Sequence, residues 1–137
     1  MQLKAGDKFS SRLRPARQED LNRFGALHGT TGKTHTDPEY ARSSVFGGVI
    51  VQGALVMAPV FDICGEILGP GWLERSEVEA KFVAFTRPGD VVTVEIEVMR
   101  AQGQEAELAY ACLLPDGKKV QVGTVSVRAP ATEDTSA

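Results

Sequence analysis

Two cysteines, two histidines and one tryptophan are all that the 137 residues contain of those types. No apolar run approaches the roughly 18 residues that a membrane-crossing helix needs. The longest, residues 54–64, is already broken by Asp62. The opening stretch MQLKAGDKFSSRLRPARQED has no apolar segment of the kind a secretory signal carries, so a cytoplasmic location with no membrane partner is expected. Cys64 and Cys112 show no CxxC spacing, which argues against a disulfide framework and leaves two buried free thiols as the expectation. His28 and His35 are accompanied by no acid cluster at metal-ligand spacing, and no metal is expected. A phosphate-cradling glycine loop is missing too. So is a basic stripe: 18 acidic against 15 basic side chains give a net charge of −3, and nucleic acid is not expected as a partner.

What is present is apolar material, 42% of the chain, enough for one well-packed domain at this length. The expected domain covers residues 1–128, and the small polar residues of 129–137 read as a flexible tail. The second half alternates apolar and polar residues with the period of strands. Val78, Ala80 and Phe82 form one such set, ended by the turn Arg87-Pro88-Gly89-Asp90. Val92, Val94, Ile96 and Val98 form the cleanest. Beyond Gln102-Gly103 come Leu108, Tyr110 and Cys112, stopped at Pro115-Asp116-Gly117. In the last set Val120 and Val122 have one parity and Val125 and Val127 the other, which predicts an extra residue, a bulge, near Gly123.

The first half reads as helix and loop. Leu21, Phe24, Leu27 and His28 share a helical face, and His28 is expected as a satisfied histidine of that face. Asp37-Pro38-Glu39 has the cap carboxylate, first-position proline and early acid of a helix start. Residues 54–68 form a helix apolar nearly all round, with Asp62 and Glu66 its narrow polar stripe, Pro59 starting or bending it and Gly69-Pro70-Gly71 stopping it. A helix of that kind must be enclosed. One apolar helix followed by antiparallel strands predicts an α+β chain in which the sheet curls around one long central helix, the hot-dog arrangement.

Chemistry concentrates in residues 27–55. His35-Thr36-Asp37-Pro38-Glu39-Tyr40-Ala41 and Phe46-Gly47-Gly48-Val49-Ile50-Val51-Gln52-Gly53, followed by Phe82-Val83-Ala84-Phe85-Thr86-Arg87-Pro88-Gly89-Asp90, occur in the order of three motifs of a known family. The chain resembles the MaoC-like, R-specific enoyl-CoA hydratases and dehydratases from about residue 20 to residue 127. That resemblance implies addition of water to, or its removal from, a trans-2-enoyl thioester, with coenzyme A or an acyl carrier as part of the substrate and no separate cofactor. It also implies fatty-acid metabolism as the setting, and a homodimer or a dimer of dimers with the site at the subunit interface.

Carried over position by position, the resemblance makes His35 the catalytic histidine and Gly53, or its neighbour, the N–H donor to the thioester oxygen. Thr30 stands where the family has its catalytic Asp, and Gln52 where it has a His. A threonine hydroxyl can hold a water but does not exchange a proton as a carboxylate does at neutral pH. Thr31, Phe46, Gly47, Gly48 and Gln52 complete the expected substrate contacts. The glycine pair allows close backbone approach to a ligand or to a neighbouring strand. Asp37 caps a helix or orients His35, and Arg75, Lys81 and Arg87 are available for coenzyme A phosphates. Two other readings stay open. The missing Asp fits an acyl-binding, non-catalytic partner of an active hydratase, and Asp62 with Glu66 would suit a hot-dog thioesterase that aims water at the thioester carbon.

Overall fold

A computed structural model describes residues 2–130. Its order is β1 (Lys8–Leu13), α1 (Gln18–His28), α2 (Lys33–Thr36), α3 (Pro38–Arg42), α4 (Gly53–Val56), α5 (Ala58–Leu68), a 3-10 turn (Leu73–Arg75), then β2 (Ser76–Phe82), β3 (Val92–Gln102), β4 (Glu105–Leu113) and β5 (Lys119–Val127). The five strands make one antiparallel sheet in the order β1-β3-β4-β5-β2. Helix α5 lies across β1 and β3, so this is the hot-dog α+β fold. None of the described helices is long and apolar enough to cross a membrane.

The core follows from the alternation. Val92, Val94, Ile96 and Val98 of β3, Leu108, Tyr110 and Cys112 of β4, and Val125 and Val127 of β5 are buried against Val60, Ile63, Cys64 and Ile67 of α5. Each large aliphatic side chain fully withdrawn from water contributes about 1.5–3 kcal/mol. The three-and-four spacing of the α5 residues puts them on one face, and Asp62, Gly65 and Glu66 are exposed on the other.

Four expectations need correction. The central helix is not one long piece: Pro59 lacks the N–H to bond Leu55, the chain leaves helical geometry at Met57, and α4 and α5 result. On α1 only Leu21 and Gly25 are buried, while Leu27 and His28 are exposed and the His28 ring stacks on Phe24 at 4.4 Å. The bulge in β5 falls at Val120, between Gln121 paired with Cys112 and Lys119 paired with Leu113, and the register through Gly123 is continuous. An unpredicted strand, β1, occupies the start of the chain, and β3 carries a second irregularity between Val98 and Arg100. Of the expected tail, residues 131–137 lie outside the described residues; Ala129 and Pro130 are in no helix or strand.

Candidate active site

The Val120 bulge shapes the site. Its carbonyl accepts from both Val83 N–H (3.0 Å) and Ala84 N–H (3.1 Å), which steers the chain off the end of β2 and across the sheet's inner face. An extra residue in one strand also turns two neighbours inward, here Val120 and Gln121. Between this segment and α4 opens a cleft of about 390 Å³ lined chiefly by apolar groups, among them Phe46, Val56, Phe82 and Phe85.

Among the described residues, His35 is its one titratable lining residue. Its Nδ1 lies 2.8 Å from the Ile50 carbonyl. A carbonyl can only accept, so Nδ1 carries the hydrogen and Nε2 is left to exchange a proton with a ligand. The N–H of the same peptide unit, on Val51, donates to the Thr86 carbonyl at 2.8 Å, so one peptide ties the histidine loop to the far wall. The Gln18 amide donates to His35 O at 2.8 Å and holds α2 against α1.

Gly53 also lines the cleft, and neither its amide nor that of Ala54 donates to a protein acceptor among the described residues. A Cβ here would stand 2.7 Å from Cζ of Phe82, so glycine is what lets that ring lie against the start of α4. Sequence reasoning missed what fixes this peptide. Gln121, 1% exposed, donates from Nε2 to Gly53 O at 3.1 Å and accepts at Oε1 from Tyr110 Oη at 2.7 Å. A single glutamine inside a valine-rich strand is the signal that could have shown it.

The profile of the MaoC-like domain matches residues 2–111. The chain belongs to the MaoC-like domain family. An (R)-specific enoyl-CoA hydratase of Rhodospirillum rubrum is 29% identical over 117 residues, covering 83% of this chain and 80% of that one. Among solved structures, the (R)-hydratase of A. caviae involved in PHA biosynthesis is 25% identical with a TM-score of 0.80, over 93% of this chain and 98% of that one. The unliganded R-hydratase PhaJ1 of Pseudomonas aeruginosa is likewise 25% identical, with a TM-score of 0.79 over 95% and 84%. The matched region of this MaoC-like chain ends before β5, which supplies the Val120 and Gln121 side of the cleft.

The structure brings together His35, Gly53 and Phe46, and leaves the other candidates outside the cleft lining. Thr30 Oγ1 is buried without a protein partner, and the Thr30 carbonyl lies 3.5 Å from the Gln52 amide. Gln52 is buried and donates to Leu21 O at 2.8 Å, so it pins α1 to the start of α4. Thr31 is exposed, its carbonyl accepting from Thr36 Oγ1. Asp37 does not touch His35; it caps α3, accepting from Glu39 N–H and Tyr40 N–H, each at 3.1 Å. Within the protein it is the Arg87 guanidinium, not a strand, that approaches the Gly47-Gly48 pair, 2.6 Å from where a Gly48 Cβ would sit.

Arg87 donates to Phe46 O and Val49 O and stacks over Phe85 at 5.0 Å, and Arg75 donates to Arg128 O at 3.0 Å, so both are committed within the chain. Lys81 remains exposed on the outer side of β2. Asp62 and Glu66 point to solvent from α5, outside the cleft. A larger trough, about 1080 Å³, runs along the sheet with Lys8, Glu95, Glu97 and Lys81 at its sides, but neither His35 nor the Gly53 amide reaches it. The described residues hold no group of three potential metal ligands.

Proposed function

We propose that this chain hydrates an enoyl thioester, or dehydrates the 3-hydroxyacyl thioester, in the cleft between His35 and Gly53. The observation that carries the reading is the imidazole fixed through Nδ1 by the Ile50 carbonyl, with Nε2 free in an apolar cleft that also holds an unpaired amide. In hydration a water oxygen bonds to C3 while His35 Nε2 takes one of its protons. The electron pair of the double bond moves onto the thioester oxygen, where the Gly53 N–H stabilises it. The imidazolium then returns its proton to C2. His35 serves both transfers because no carboxylate of the described residues lines the cleft. The acyl chain lies along Val56, Phe82 and Val120, and coenzyme A or a carrier arm extends to solvent as part of the substrate.

One observation favours a second reading. Thr30, in the position of the family's acid, is held at the end of α1 by its N–H on Gly25 O rather than in the cleft lining, as suits an acyl-binding subunit that works beside an active hydratase. The thioesterase reading has no such support, since its two acids face away. Crotonyl-CoA separates the cases through the loss of enoyl absorbance. Turnover by the wild type that falls by about 10²-fold or more in His35→Ala supports the hydratase. Full turnover in that variant overturns it. Binding of the thioester without turnover selects the acyl-binding subunit.

A further inference from the structure

The wall of the cleft carries a buried polar group that the fold leaves unused. Thr86 is 2% exposed and lines the cleft with His35, and its Oγ1 has no hydrogen-bond partner in the protein. The segment does not need that hydroxyl to stay in place, because the Thr86 carbonyl already accepts from Val51 N–H. A buried hydroxyl with no partner lowers stability, and valine has the same shape without the penalty. Two further buried oxygens, Thr30 Oγ1 and Gln52 Oε1, also lack partners, yet neither residue lines the cleft. Thr86 therefore stands apart as an unpaired side-chain hydroxyl on the wall shared with the histidine.

Resting on the hydratase reading above, we propose that the Thr86 hydroxyl binds the oxygen that joins or leaves C3 of the acyl thioester. A hydroxyl both donates and accepts, which matches a water or a 3-hydroxyl, each of which does the same. The thioester oxygen only accepts and is met by the Gly53 amide. Thr86 keeps its own proton throughout: it orients the oxygen while His35 Nε2 takes the proton, and so holds the nucleophile at the imidazole in place of a carboxylate.

The test uses two ligands that differ in the C3 oxygen alone, (R)-3-hydroxybutyryl-CoA and butyryl-CoA. They are titrated calorimetrically into His35→Ala protein, with and without Thr86→Val, so that neither is turned over. Thr86→Val should weaken the hydroxyacyl thioester roughly tenfold and change the butyryl thioester by less than about twofold. In the His35 background it should lower kcat/KM for crotonyl-CoA roughly tenfold, with Thr86→Ser restoring most of the loss. The melting temperature of unliganded Thr86→Val should equal or exceed that of the wild type, which separates binding from a structural role. Equal weakening of both thioesters, or a lowered melting temperature with unchanged binding, overturns the proposal. A wild type that hydrates crotonyl-CoA while Thr86→Val matches it overturns this inference and leaves the hydratase reading intact. A wild type that neither hydrates crotonyl-CoA nor binds either thioester overturns both.

Discussion

Cys64 and Cys112 sit wholly inside the core, and burial pushes each thiol up to about 12 from its ordinary value of 9.0. The thiolate is the reactive form, so neither should react with a disulfide reagent at pH 8 in the native protein, and both should react after unfolding in urea. Labelling of one thiol in the folded state would contradict the packing. The same shifts fix a sign. Above pH 9 the unfolded chain releases thiol protons that the folded chain retains, so stability falls as pH rises from there toward 12. Tyr110, also raised by burial, adds to the loss. Gly123 offers a steric counterpart. A Cβ there would stand 2.3 Å from both the Glu79 carbonyl oxygen and the Tyr110 ring, in a sheet whose backbone cannot retreat. Gly123→Ala should therefore cost roughly 2 kcal/mol or more, read as a lower urea midpoint at unchanged slope.

The loop between α3 and α4 is held from outside itself, by the Arg87 guanidinium on the carbonyls of Phe46 and Val49. Hydrogen bonds to a charged donor are worth about 1.5–3 kcal/mol against an unpaired group. Arg87→Met should free the loop, and trypsin, which cuts after the exposed Arg42, should cleave the variant faster than the wild type. Equal cleavage would show that the clamp is not what orders the loop. This loop also marks how far sequence could be read. Strands β3 and β4 were legible because both sit half in the core, β3 alternating from Val92 to Val98 and β4 along its whole length. β1 was not, since in KFSSRL only Phe9 and Leu13 are apolar and its pairing to β3 supplies what its own pattern lacks. The mismatch of valine parity announced a bulge in β5, but not its position, because Gln121 takes an inward place that a polar residue does not advertise. In the site, a motif marked His35 and Gly53. Thr86 was invisible because its burial depends on strands distant in sequence closing over it, while Gln121 was marked only by standing as a lone amide in a valine-rich strand.

The sheet ends in an open edge. β2 pairs with β5 on one side alone, and just where it leaves the sheet Phe82, Val83 and Phe85 are 62%, 48% and 43% exposed beside the cleft. An unprotected edge next to contiguous apolar side chains is a surface for association. A two-fold pairing of β2 with β2 of a second copy satisfies the edge of both and covers both clefts with one operation. Sedimentation should then give about twice the 14.7 kDa chain mass. Phe82→Asp places a charge in that seam, where pairing would have to strip its water, and it should shift the species to the monomer with the circular dichroism of the sheet retained. Because the Phe82 ring also lies against Gly53, the monomer should lose thioester binding as well. A wild type that sediments as a single chain would overturn the pairing, and a Phe82→Asp variant that stays dimeric would place the subunit contact elsewhere on the fold.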